Sequence, residues 1–252
     1  MALLAMHAVP DPQHVTADIA EIREVTPELA IWRIRLCGAS ISFAPGQYVA
    51  IGLPIGERLV ERPYSICSAP DEPELEFFIE LVEDGLLTPR LFQMHAGEQV
   101  YVRRSAKGRF FLEKSTEDHL MVASVTGVAP FVSILRDLAR RQDTRRHVLL
   151  LHSASSPTEL GYAPELAALA RSQEWFEYVP TISRPWLAPE WEGERGRAED
   201  VVRKHADRGA FRPGSATVYC CGNPQMIRNV QGVMERAGFA LSEIRKENYW
   251  VG

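Results

Sequence analysis

Arg62-Pro63-Tyr64-Ser65 brings a cation, a flat aromatic and a hydroxyl within four residues. These groups can pair a phosphate, stack on a planar ring and hydrogen-bond a ring edge, with each charge-assisted bond worth roughly 1.5–3 kcal/mol. An edge arginine beside a glutamate, with Tyr64 in the core, fits the same four residues. Two later turns have a related character. In Val125-Thr126-Gly127-Val128-Ala129-Pro130, small residues admit a ligand close to the backbone and Pro130 opens a helix, although the run is not a G-x-G-x-x-G. Cys221-Gly222-Asn223-Pro224 repeats the pattern with a soft thiol at its start; burial at a strand end is the usual fate of such a cysteine. Asp84-Gly85-Leu86-Leu87-Thr88-Pro89-Arg90-Leu91 reads as a turn into a helix, with Thr88 as N-cap and Pro89 first in the helix, and the free N–H groups there can receive a pyrophosphate or merely be capped. The last residues, Glu247-Asn248-Tyr249-Trp250-Val251-Gly252, place two adjacent aromatics where a chain normally frays, so they need either the protein's own core or a flat ligand to cover.

The elements that position these groups differ between the two halves. Residues 30–36, 47–51 and 75–82 are β-rich and short, and turn signals at 44–46, 69–73 and 96–98 separate them at intervals typical of an antiparallel barrel, interrupted by one short helix over 87–95. Past residue 117 the rhythm changes. Apolar strands over 120–125, 147–152, 175–182 and 216–221 alternate with helical patterns over 131–141, 165–171, 199–205 and 225–237, which implies a parallel sheet with right-handed crossovers. The expected architecture is β followed by α/β: an N-terminal antiparallel β-barrel over residues 1–113 and a parallel-sheet α/β domain over 114–252. Ligands of such sheets sit beyond the carboxyl ends of the strands, which selects Thr126-Gly127, Ser153, Ser183-Arg184 and Gly222-Asn223.

Composition narrows the function. The chain has 252 residues, 46% hydrophobic and 24% charged, with a net charge of −5. That balance excludes a disordered or fibrous chain and gives no case for nucleic-acid binding. The charge divides unevenly, so the second half is the better place for an anionic ligand. No stretch approaches a membrane span, and residues 1–6 are too short and uncharged for a signal peptide, which predicts a cytoplasmic protein. The four cysteines, Cys37, Cys67, Cys220 and Cys221, make neither a C-x-x-C nor the spacing of a plant-type iron–sulfur cluster, and His14, His95, His119 and His147 lack metal-ligand spacing, so no metal is expected. No G-x-S-x-G suggests a hydrolase.

Taken together, Arg62 to Ser65, Asp84 to Leu91, Thr126 to Pro130, Cys221-Gly222-Asn223-Pro224-Gln225-Met226 and Glu247 to Trp250 occur in the order and spacing of the bacterial ferredoxin/flavodoxin-NADP reductases, and the resemblance covers nearly the whole chain. It implies FAD on the barrel and NADP(H) on the α/β domain. On matching positions, Arg62 would hold the FAD pyrophosphate, Tyr64 would pack on the isoalloxazine and Ser65 would bond near flavin N5, with Ile66, Phe78, Ile79, Leu87, Thr88, Thr126 and Gly127 as further cofactor contacts. Tyr249 matches the aromatic on the other flavin face and Trp250 the residue toward the adenine side. Ser183, Arg184 and Arg197 match 2′-phosphate ligands, and Asn223 and Gln225 lie in the same cofactor's turn. Guanidinium forks suit a phosphate dianion. Two positions depart from the family: Val125 stands for the first glycine of a G-T-G turn, and Ser155 where relatives often carry another phosphate-binding arginine.

The resemblance further implies hydride transfer between NADPH and the flavin and single-electron exchange with a separate carrier, a ferredoxin or flavodoxin, by a monomeric enzyme. Ser65, Cys221, Glu247 and Tyr249 are the expected catalytic groups, with Tyr249 as a gate that yields to the nicotinamide. Arg103, Arg104, Lys107 and Arg109 on the barrel rim are candidate docking charges for an acidic carrier. An NAD(P)H:flavin or oxygenase-type reductase and a non-catalytic flavin-binding regulatory subunit remain as alternatives.

Overall fold

The computed structural model describes residues 12–143 and 145–248; Tyr249, Trp250 and the two residues after them lie outside that range. Two six-stranded sheets organise the chain. The first is antiparallel and is built from β1 (His14–Thr26), β2 (Leu29–Leu36), β3 (Tyr48–Ile55), β4 (Arg58–Ser65), β5 (Leu75–Glu80) and β6 (Gln99–Arg103), in the order β4-β3-β6-β1-β2-β5. Its two edges meet just past β4, where Ile66 bridges to Phe77 and the Cys67 N–H donates to the Glu76 carbonyl at 2.7 Å, closing the sheet into a barrel. The 13-residue β1 carries register shifts at 19/21 and 24/26, which bend it enough to serve both β6 and β2. Inside lie Trp32, Ile34, Ile51, Ile66, Phe77, Val100 and Val102. Gly46, at φ +91, is required where the turn before β3 passes the connector: a Cβ there would stand 2.1 Å from the Phe110 carbonyl oxygen.

The second sheet is parallel: β7 (Asp118–Ser124), β8 (His147–Ala154), β9 (Phe176–Ile182), β10 (Glu194–Arg195), β11 (Ala216–Gly222) and β12 (Ile244–Asn248), ordered β10-β9-β8-β7-β11-β12. Side-chain alternation splits its core in two. Met121, Ala123, Val148 and Leu150 face α2 (Ala129–Arg141) and α3 (Ala163–Ser172), whereas Leu120, Val122, Leu149 and Leu151 face α4 (Ala198–Arg208) and α5 (Pro224–Arg236). The strand order reverses between β7 and β11, so the turns after these two strands flank the crevice where such sheets receive ligands.

The β then α/β architecture expected from the sequence is the one observed. Several local expectations change. The short helix is a single turn, α1 (Thr88–Leu91), preceded by Leu87 with no side-chain cap. Thr88 is not its N-cap: its hydroxyl accepts from the Val82 N–H at 2.9 Å and donates to the Val82 carbonyl at 3.1 Å, which pins the preceding turn. Residues 244–248, given no element from the sequence, are a strand. They form β12, whose polar surface hides a strand pattern that only pairing with β11 reveals. Among the described residues no helix is long and apolar enough to cross a membrane, and no group of three His, Cys, Asp or Glu is placed to hold a metal ion.

Candidate active site at the domain seam

The end of β4 and the end of β12, 182 residues apart in sequence, meet at the seam between the two sheets: Ser65 Oγ donates to Glu247 Oε1 at 3.0 Å. Cys221 lies directly opposite Glu247 in the β11–β12 register and is fully buried. Burial pushes the Glu247 carboxyl above its ordinary range, and the bond from Ser65 offsets only part of that rise. Three of the four residues expected to be catalytic therefore share one corner; the fourth, Tyr249, lies outside the described residues.

Tyr64 and Arg62 share a face of β4, opposite Val49 and Ile51 of β3. The Tyr64 hydroxyl is buried without a hydrogen-bond partner among the described residues. A buried hydroxyl left so costs about 1–3 kcal/mol, a sign that the pocket is completed by something else. Arg62 is exposed, and its guanidinium donates to the Glu61 carbonyl at 2.9 Å. Among the described residues it pairs with no glutamate. Glu61 is instead taken by Arg103, through Nε at 2.8 Å and Nη2 at 2.6 Å. Arg103 is thus neutralised within the barrel and is a poor docking charge, whereas Arg104, Lys107 and Arg109 remain exposed.

On the sheet side, the turns after β7 and β11 pack backbone to backbone. A Cβ on Gly127 would stand 2.2 Å from the Cys221 carbonyl oxygen, and one on Gly222, at φ +121, would stand 2.3 Å from Ser124 Oγ. Only glycine fits either position. Thr126 is buried beside them. Asn223 caps α5, its Oδ1 accepting from the Gln225 and Met226 N–H groups at 2.8 and 3.2 Å, and Gln225 bonds along its own helix to Asn229 and Arg228. Ser183, Arg184 and Arg197 gather at the far end of β9, where the Arg184 and Arg197 guanidinium groups are exposed and form no ion pair among the described residues. Ile66, Ile79 and Leu87 point into the barrel core, and Phe78 packs edge-on against Tyr162 at 5.7 Å, so these four side chains are covered by protein.

A cleft of about 700 Å³ opens on the other side of the β7 turn, between residues 24–29 of the β1–β2 hairpin and Ser155, Thr158 and Glu159. Glu24, Glu28, Glu80 and Glu159 line it, and burial together with Glu159 raises the Glu80 carboxyl. Ser155 offers its backbone N–H to Glu159 Oε2 at 3.0 Å, which sets a carboxylate beside it.

Sequence reasoning passed over His152. It lies within a buried strand and bonds the Val125 carbonyl, and a polar residue ending the apolar run 148–151 was the available signal.

Comparison with known proteins places this geometry. Residues 16–111 match the oxidoreductase FAD-binding domain and residues 121–232 the oxidoreductase NAD-binding domain. The two sheets and the seam between them therefore define a two-domain FAD- and NAD-binding oxidoreductase. The chain is 30% identical over 226 residues to the flavodoxin/ferredoxin-NADP reductase of Escherichia coli (strain K12), covering 86% of this chain and 88% of that protein. It is 31% identical over 243 residues to the ferredoxin-NADP reductase B of Sorangium cellulosum, covering 92% and 96%. A crystal structure of a ferredoxin NADP+ reductase from Neisseria gonorrhoeae with bound FAD and NADP superposes with a TM-score of 0.85 at 28% identity, covering 95% of this chain and all of that one. The chain belongs to the ferredoxin/flavodoxin-NADP reductase family. Reductase components of oxygenases are also similar, among them that of a phenol 2-monooxygenase from Pseudomonas sp. (strain CF600), 31% identical over 88% of this chain and 60% of that protein.

Proposed function

We propose that this chain is a ferredoxin (flavodoxin)-NADP+ reductase that joins hydride exchange with NADP(H) to one-electron exchange with a separate ferredoxin or flavodoxin. The domain boundary falls at 113/114, inside the connector between β6 and β7. The observation that carries this reading is the seam itself: a serine, a raised carboxyl and a buried thiol-bearing strand end converge beside a tyrosine whose buried hydroxyl has no partner among the described residues. The residues present fit FAD. Arg62 has a guanidinium free of carboxylates for the pyrophosphate, Tyr64 a ring and an unsatisfied hydroxyl for the flavin edge, and Ser65 a hydroxyl for the ring nitrogen side. Thr126 would border the flavin, while Ile66, Phe78, Ile79, Leu87 and Thr88, covered by protein, would support the pocket from behind. A bound flavin supplies acceptance of two electrons at once and their release one at a time.

The chain's own groups supply orientation and proton handling. Ser65 Oγ, 3.0 Å from Glu247 Oε1, donates its proton to that oxygen, and the raised carboxyl of Glu247 is suited to take up or release one there. Cys221 and the tight Gly127–Gly222 contact shape the approach of the nicotinamide. Arg184 and Arg197, with Ser183, receive the 2′-phosphate, while Asn223 and Gln225 build the turn at the start of α5. Tyr249 and Trp250 would cover the remaining flavin surface. The acidic cleft beside Ser155 lowers the preference for NADPH below what two arginines alone would give. Arg104, Lys107 and Arg109 offer an acidic carrier a positive rim.

The test is anaerobic titration of the purified yellow protein with NADPH and with NADH, followed by addition of ferredoxin or flavodoxin. Ready bleaching by NADPH with rapid carrier reduction is expected. Bleaching with negligible carrier turnover and fast reduction of free flavin or an oxygenase partner would favour the second reading, an oxygenase-type reductase, which the similarity to the phenol 2-monooxygenase component supports.

A further inference from the structure

A chain of polar groups centred on a buried histidine in the α/β half ends on the β7 turn. His152 is fully buried in β8, on the sheet face shared by Leu150 and Tyr178. Its Nε2 lies 3.1 Å from the Val125 carbonyl oxygen and its Nδ1 3.1 Å from the Tyr178 hydroxyl. A carbonyl oxygen can only accept, so the ring proton sits on Nε2, and Nδ1 accepts from the Tyr178 O–H. Burial lowers the imidazole pKa to about 4, against the opposing pull of the Val125 carbonyl, so the ring is neutral and the tautomer does not change near neutral pH. The direction of both bonds is thereby fixed.

Val125, at the receiving end, has φ +45. The described non-glycine residues with positive φ are Val125, Gln142 and Ala210. Gln142 closes α2 and Ala210 follows the end of α4, the usual place for a left-handed residue. Val125 closes no helix. It joins β7 to the turn, and its β-branched side chain is the type least suited to that conformation. That side chain packs between two apolar clusters and borders the acidic cleft, and the next two residues abut the Cys221 end of β11.

We infer that Tyr178 and His152 form a positioning device that holds Val125 left-handed and so sets the path of the Thr126–Gly127 turn past which the nicotinamide dinucleotide lies. The inference rests on the proposed function only in naming what the turn receives. Tyr178 fixes the tautomer, His152 fixes the carbonyl, and the carbonyl fixes a backbone conformation that valine would otherwise leave. A glycine at this position would hold the same conformation without a clamp.

The test uses the full chain loaded with FAD. NADP+ dissociation constants come from flavin difference absorbance, kcat and KM from NADPH oxidation, and thermal midpoints from calorimetry. His152→Leu is expected to weaken NADP+ binding and raise KM about 10-fold with kcat within about 2-fold, because a displaced turn costs alignment rather than chemistry. His152→Gln, whose amide can still donate to the carbonyl, is expected to recover most of that loss, and Tyr178→Phe to show a smaller loss in the same direction. In a Val125→Gly background, His152→Leu should cost far less, both in NADP+ affinity and in thermal midpoint. Equal costs of His152→Leu in the native and V125G backgrounds, or an unchanged KM in H152L, would overturn the inference. Should the unsubstituted protein bind no dinucleotide, the functional reading fails. The non-additivity of V125G and H152L in thermal midpoint still decides the clamp, and strict additivity would refute it.

Discussion

The seam between the sheets has a floor and a mouth, and the two treat buried polar groups in opposite ways. At the floor, Glu76 is almost fully buried and every oxygen is engaged: Oε1 takes Arg136 at 2.9 Å and the Tyr162 hydroxyl at 2.9 Å, and Oε2 takes Arg33 at 2.9 Å. Arg136 also reaches Glu165 at 2.7 Å and lies over the Tyr162 ring. Burial would raise the Glu76 carboxyl, but Arg136, Arg33 and Tyr162 outweigh it and hold it below the usual range. At the mouth, Glu247 has one partner, its carboxyl is raised, and the Tyr64 hydroxyl has none among the described residues. The floor is a finished network that fixes how the barrel meets the sheet. The mouth is unfinished among the described residues, which supports the proposed flavin site there. Both contain a glutamate beside a hydroxyl, Glu76 buried and Glu247 half-buried, so residue type does not separate structure from function here; degree of satisfaction does.

Breaking the floor should have the largest effect. Arg136→Met leaves Glu76 buried with Arg33 and Tyr162 alone, and urea denaturation should show a loss of about 3 kcal/mol or more, with FAD absorbance of the remaining folded protein unchanged. At the mouth the order of effects reverses. Glu247→Gln should reduce NADPH turnover about 10-fold or more, as expected on removing a proton-handling group, while stability changes by less than about 0.5 kcal/mol, because the amide oxygen still accepts from Ser65.

Acid sharpens the same contrast. The lowered Glu76 carboxyl contributes stability that is present above its unfolded pKa and lost as pH falls through its folded value. The raised Glu247 carboxyl opposes folding above its folded pKa, and that opposition fades as pH falls toward the unfolded value. Urea midpoints of E76Q and E247Q, each relative to the unsubstituted protein, should therefore diverge in opposite directions between neutral pH and about pH 4. Parallel pH profiles would erase the distinction. The smallest effect is expected at Tyr64: its replacement by phenylalanine should leave the FAD-free protein as stable or up to about 1 kcal/mol more stable, yet weaken FAD binding about 5-fold, measured by fluorescence of released flavin.

The order of elements was readable from the chain. Runs such as 148–151 and 218–221 are apolar on both faces and can only be inner strands of a covered parallel sheet, and the turn residues after them point to a ligand edge. Arg62, Tyr64 and Ser65 stood out as candidates by type and spacing. Hydrophobic periodicity could not reveal β12, because an edge strand with exposed Arg245 and Lys246 is recognised by its partner rather than its pattern. Nor could it show that Glu61 pairs with Arg103, 42 residues away, rather than with the adjacent Arg62.

Sequence by itself determined the two kinds of sheet, their order, and the residue types offered at the strand ends, because periodicity and turn chemistry act over a few neighbouring residues. Tertiary structure alone decided which of those residues share a space: that Ser65 meets Glu247, that Glu76 is saturated while Tyr64 is not, and that His152 reaches the carbonyl of a left-handed Val125. Contact across long separations depends on barrel closure and strand register, and a shift of one residue in either would turn the same side chains away from each other.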